Sequence, residues 1–359
     1  MWFYKFYYQR EALKISDNIN VIEIIINIFT LKINLPLISF YALLFKIYPH
    51  DFTVYFFNSF LFIFIYINVN NILSLLDLKK INFLEFFLLS GYLNYFNIGI
   101  NKEIFIIFSI TTLFFLLLKS FKIKQLNIKE FSYLILILII FAYIKPFHLF
   151  VLLMPMSVLL IAFILLKKAS KKYFILFMPI FFAILFILNI INQYYSDYAG
   201  NFHFLNIIDF INYNRNNTYL MSITNSNLLS YTTNATQLSF DIFSHDNILI
   251  YSSSFISSLI FPSLNDLIYG ITNNSRFLLL ISFESFFIKV GFIYALYKSF
   301  FCSNKLVYII YLLLFLYMTF IIAINIPNDG ISYRYLYPYK FIAIFFGYNY
   351  IKKLALKFV

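Results

Sequence analysis

The chain has 359 residues, of which 62% are hydrophobic, 23% aromatic and 12% charged. An average soluble domain carries about 25% charged residues, and apolar runs of about 20 residues mark membrane segments. Such runs recur here from end to end, which sets the chain apart from an ordinary soluble domain and predicts a polytopic membrane protein. The formal charge of +12 does not point to nucleic acid. Its lysines gather in short connections between apolar runs, as orientation in a membrane requires.

In chain order, the opening segment "MWFYKFYYQREALKISDN" has no short apolar core followed by a small-residue cleavage site. It is not a cleavable signal peptide, and it reads as loop-like. Residues 19–33 carry Glu23, Asn27 and Lys32, so an interfacial helix suits them as well as a crossing one. A crossing helix needs about 20 mostly apolar residues, or fewer when its ends snorkel. Candidate spans lie near 34–49, 52–69, 81–97, 104–118, 131–146, 148–166, 174–191, 277–298, 306–326 and 339–351, and the segment 249–261 dips in without crossing. The expected fold is an all-α bundle of roughly nine to eleven spans, forming a single polytopic domain over 1–359.

Basic residues set the expected orientation. Lys79 and Lys80 fill one connection, Lys119, Lys122, Lys124 and Lys129 a second, and Lys167, Lys168, Lys171 and Lys172 a third. Lys298 and Lys305 bracket a fourth, and Lys352, Lys353 and Lys357 follow the last span. Alternation puts all five groups on one side, the cytoplasmic side by the positive-inside rule, with the carboxyl terminus there too. The stretch 192–275 then lies outside as one large loop. Its acids are Asp197, Asp209, Asp241, Asp246 and Asp266, and its aliphatic and aromatic content predicts short helices. The expected location is the bacterial inner membrane.

Several chemistries find no support. Phe (50) and Tyr (31) are so abundant that the excess reads as coding bias, and aromatic clusters carry no functional weight. One cysteine, Cys302, allows no intrachain disulfide and no Cys-based metal cluster. There is no Gly-rich phosphate loop and no Asp-x-Asp pair. His50, His148, His203 and His245 are too scattered for a zinc site. No metal or other cofactor is expected, and no nucleic acid partner.

Against the orientation rule, cations appear at the expected outer ends. "NIGINKEIF" holds Asn101, Lys102 and Glu103; "YIKPFHLF" holds Lys145 and His148; "NNSRF" holds Arg276; "IPNDGISYRY" holds Asp329 and Arg334. Each has an ordinary explanation. Asn101 and Glu103 fit an N-cap and a first-turn acid, and Lys145 can snorkel to headgroups. His148 suits an interfacial position, Tyr333, Tyr335 and Tyr337 an aromatic belt, and Asn-Asp-Gly a turn. Glu284 lies about two turns inside a span, where an acid is a functional candidate by default, although it can also neutralise a neighbouring cation. Together, four basic groups on one face suit an anionic, lipid-linked substrate: Arg offers phosphate a planar fork and Lys a point charge.

The stretches "SGYLNYFNIGINKE", "KPF", "FESFF" and "PNDGISYRYLYP" resemble the O-antigen polymerase-like (Wzy-type) and related membrane glycosyltransferase-like proteins of bacterial surface-polysaccharide clusters. The matching positions are Gly99, Lys102, Glu103, Lys145, Pro146, Glu284, Pro327, Asn328, Gly330, Tyr333, Arg334 and Pro338. Lys145 stands where that group usually has arginine, and an amino-terminal span common in the group is not evident. The resemblance implies polymerisation of polyprenyl-diphosphate-linked oligosaccharide repeat units at the outer face, without a metal, alongside other polysaccharide-assembly proteins and membrane lipid. On that reading Arg334, Arg276, Lys145 and Lys102 bind the diphosphate. Glu103 or His148 accepts the proton, Glu284 orients, and Arg215, Asp209, Asp329 and Tyr333 meet the sugars. A polyprenyl-monophosphate-sugar transferase of the GT-C type, using Asp17 or Asp51, stays open. So do an O-antigen ligase, a polysaccharide flippase or transporter, and a structural membrane subunit.

Overall fold

A computed structural model describes residues 2–28, 35–97, 100, 102–123, 132–133, 136–137, 140, 245–263, 267–268, 271–272, 276–301, 305–325 and 329–358. Among the described residues every regular element is helical, and no strand occurs. The chain divides into two compact units, Met1–Ile191 and Asn192–Val359. The expected spans 148–166 and 174–191 fall outside the described residues, as does nearly all of 131–146.

In the first unit the helices are α1 (Trp2–Asn18), α2 (Val21–Ile28), α3 (Leu35–Ile47), α4 (Phe52–Leu75), α5 (Phe83–Leu89), α6 (Gly91–Asn97) and α7 (Lys102–Ile123). α1 and α2 pack on α3, and α4 packs on α7. α4 is largely apolar, and two of its asparagines are buried. Asn58 is fully buried and accepts a hydrogen bond from the Tyr41 hydroxyl at 2.6 Å. Asn70 accepts from the Ile81 amide at 2.9 Å and donates to the Ile81 carbonyl at 3.2 Å. The outward face instead shows Phe52, Phe56, Phe60, Ile63, Phe64 and Ile67, all exposed. Helical spacing makes these one stripe. Phenylalanine outside and asparagine inside is the reverse of what water selects.

Among the described residues, two helices are long and apolar enough to cross a membrane: Phe52–Leu75 and the Leu279–Phe301 part of a later helix. Leu37–Ile47 and Val307–Ala323 are shorter apolar helices. The segment expected as one span over 81–97 is broken in two. Asn82 and Glu85 form a reciprocal cap at the start of α5, which satisfies two backbone donors. The helix stops at Ser90, whose hydroxyl donates to the Phe86 carbonyl at 2.6 Å, and Gly91 begins α6. Neither piece alone is long enough to cross. The amino-terminal segment also differs from expectation, since α1 is a helix of 17 residues and not a loop.

In the second unit are α8 (His245–Ile260), α9 (Arg276–Phe301), α10 (Lys305–Asn325) and α11 (Asp329–Phe358). α10 runs back along both neighbours. Its Phe315 and Tyr308 rings lie 5.2 and 6.2 Å from Phe292 and Tyr294 of α9. On the other side Tyr308 lies 5.8 Å from Phe346, and the Tyr311 hydroxyl donates to the Tyr339 carbonyl at 3.2 Å. α9 and α11 therefore point the same way, and they touch backbone to backbone. A Cβ at Gly291 would fall 1.9 Å from the Ala343 carbonyl oxygen, and one at Gly347 would fall 2.1 Å from the Phe287 carbonyl oxygen. Each glycine has a buried alanine four residues away, Ala295 and Ala343. This is the small-x-x-x-small pattern that lets parallel helices approach closely in lipid.

α11 begins at Asp329, ten residues before the expected start of the last span, so the Asp-Gly pair opens a helix and is not a turn followed by a loop. Tyr333 and Arg334 thus sit within a helix. Pro338 lies in its interior and removes one rung of its hydrogen-bond ladder. Gly291→Leu should cost at least the roughly 1–3 kcal/mol typical of overpacking. Ile293→Ala, on the exposed side of the same helix, should leave thermal unfolding in detergent nearly unchanged. Equal melting temperatures for the two variants would contradict the backbone contact.

Candidate functional site

Burying a charged side chain is expensive unless it is paired, so the buried ionisable groups locate the site. In the second unit Glu284 is 0% exposed and Lys340 is 1% exposed. Their placement follows from the glycine contact. Glu284 is seven residues before Gly291 (291 − 284 = 7), and Lys340 is seven before Gly347 (347 − 340 = 7). Seven residues make two turns and return to nearly the same face. Each charged residue therefore lies two turns before the glycine of its own helix, within an apolar segment.

Lys340 is held by what surrounds its ammonium. Nζ donates to the Ser258 carbonyl at 2.8 Å and lies 5.0 Å from the centre of the Tyr333 ring. Lys289 of α9 reaches the same region, donating to the Pro262 carbonyl at 2.7 Å. Ser258 and Pro262 bracket the end of α8 at Ile260. Two lysines from two different helices thus cap one helix C-terminus, where unsatisfied carbonyls and the negative end of the helix dipole favour cations. Tyr333 closes the cluster. It is 2% exposed, and its ring lies 5.8 Å from Phe261 and 6.0 Å from Tyr337. A water-poor cluster with an ammonium and two phenols can hold negative charge.

The expected site residues fall out as follows. In the first unit Lys102 opens α7 and is half-buried, and Glu103 follows in the first turn, 2% exposed. The first-turn position is the one expected for Glu103. In the second unit Arg276 opens α9 and Asp329 opens α11. Glu284 and Tyr333 are buried, and Arg334 is half-buried one residue beyond Tyr333. The second unit thus brings Tyr333 against Lys340 and buries Glu284 within α9. Lys145, His148, Asp209 and Arg215 lie outside the described residues.

Sequence reasoning missed Lys340 and Lys289. The available signal was a lysine inside each of two long apolar helices, by the same argument that singled out Glu284. A hydrogen bond to a charged donor contributes about 1.5–3 kcal/mol. Lys340→Met should therefore loosen the end of α8 and speed chymotryptic cleavage at Phe255 by about tenfold. Lys289→Met should add to the effect, and unchanged cleavage would show that the lysines do not hold α8. No family model, no curated protein and no solved structure matches the chain.

Proposed function

We propose that this chain is a polytopic protein of the bacterial inner membrane that polymerises polyprenyl-diphosphate-linked oligosaccharide repeat units at the outer face. The reading is supported by the sequence resemblance and by the outward phenylalanines of α4. The observation that carries it is the burial of Glu284 and Lys340 inside apolar helices of one unit, with Lys340 against the Tyr333 ring. A membrane protein keeps buried charges of this kind for work.

In the proposed reaction a sugar hydroxyl of one repeat unit attacks the anomeric carbon of another. A carbon–oxygen bond forms, the bond to the diphosphate breaks, and polyprenyl diphosphate leaves with the electron pair. The leaving group is stable as an anion, so the protein has three tasks: to neutralise it, to align the acceptor and to take one proton. Arg334, Arg276, Lys145 and Lys102 take the first task. Glu103 or His148 takes the proton. Glu284 orients, and Lys340 is its natural counter-charge. Asp329, Tyr333, Asp209 and Arg215 meet the sugars. With the lysine-rich connections inside, this machinery faces the periplasm.

Arg334→Ala and Glu284→Gln should each shorten the surface glycan to single repeat units while the protein persists in the membrane fraction. The readout is the length ladder of the glycan with an immunoblot of the same cells. Long chains at normal protein level would remove both residues from the reaction. Deleting the gene separates the remaining classes. Single units on the lipid core indicate a polymerase, loss of glycan with lipid-linked polymer a ligase, a repeat unit short by one sugar a transferase, and units trapped inside a flippase.

A further inference from the structure

The first unit contains a cavity of about 620 Å³ between α3, α4 and α7. That size lies within the roughly 300–1,000 Å³ of ligand sites. Its wall is chiefly apolar, with phenylalanines such as Phe40, Phe57, Phe64, Phe105 and Phe108, and no charged side chain lines it. The most conspicuous polar spot is satisfied within the protein, since the Asn68 amide donates to the Thr112 hydroxyl at 2.8 Å. A sugar or a phosphate needs donors and counter-charge that this wall does not offer. A hydrocarbon chain needs neither.

The mouth shows where the occupant comes from. Phe64, Ile67, Tyr133 and Leu136 line the cavity and are at the same time 42–51% exposed. Phe64 and Ile67 also belong to the outward apolar stripe of α4. The cavity therefore opens sideways, onto the face that would lie against lipid tails. An apolar void on that face forfeits the dispersion contacts of its lining, and filling it from the adjoining hydrocarbon recovers them. Mass action favours the most abundant chain in that phase.

We propose that this cavity is a lipid site that holds one acyl chain of a bilayer phospholipid, with the headgroup outside. The site is independent of the sugar chemistry above and stands whether or not that chemistry does. The polyprenyl tail of the substrate and the chain's own apolar segments are the alternative occupants.

The test uses the full-length protein in phosphatidylethanolamine–phosphatidylglycerol vesicles doped with a phosphatidylcholine that carries a diazirine in one acyl chain. After irradiation, adducts should concentrate on cavity-lining residues of α4 and α7, among them Leu61, Phe64, Phe105, Phe108 and Phe115. They should be lost in Leu61→Trp, which fills the space. Adducts at Phe283 and Phe286, exposed on α9, should not change. If Leu61→Trp fails to fold, excess oleic acid added to the unaltered protein should remove the cavity adducts and spare those on α9. Adducts spread evenly over exposed faces, or insensitive to the competitor, would overturn the proposal. So would capture of a diazirine-labelled polyprenol in place of the phospholipid, or of residues 148–191 by a photoreactive side chain at position 108.

Discussion

Two glycines hold α9 and α11 at backbone distance, and the packing of the second unit depends on that contact. With no Cβ at Gly291 or Gly347, the carbonyls of Ala343 and Phe287 come as close as side-chain atoms otherwise would. Dispersion between closely packed backbones drives helix association in lipid, where the hydrophobic effect offers nothing. The contact also fixes a register. Any slide or rotation would bring side chains where Gly291 and Gly347 leave room for backbone.

The register has a second consequence, at α8. A helix of 16 residues is too short to cross a bilayer, and on its own it is marginal even in water. Here its end is fastened by Lys340 from α11 and Lys289 from α9. Each lysine is charged, long and flexible, and the carbonyls it reaches need donors. The same contacts lower the desolvation penalty of the lysines. Tyr333 joins this arrangement through its ring face, a favourable place for an ammonium. The cluster thus ties the end of α8 to both α9 and α11.

Which parts were legible in the sequence follows from how local their causes are. Long apolar runs identified α3, α4, α9 and α10, because the composition of a segment decides whether it stays helical and avoids water. Ends were less legible. α4 continues past residue 69 to Leu75 because Ile72 and Leu73 still find buried positions and Asn70 finds the backbone of Ile81. The apolar run over 81–97 hides a break made by the Asn82–Glu85 cap and Ser90. Glu284 stood out as an acid in an apolar segment. Lys340 did not, because the carbonyl that compensates it lies 82 residues earlier in the chain, and no window of sequence contains both. The small residues at 291, 343 and 347 acquire meaning only when α9 and α11 are known to be partners.

The assignment to surface-glycan polymerisation requires the first-turn pair of α7 and the arginine of α11 to face the same compartment. The most direct measurement is thiol labelling in spheroplasts, in a Cys302→Ser background carrying Lys102→Cys, Arg334→Cys or Lys353→Cys. A membrane-impermeant maleimide should modify the first two from outside and reach the third only after lysis. Labelling of Lys102→Cys and Arg334→Cys from opposite sides would contradict the assignment and divide the proposed diphosphate site between two compartments.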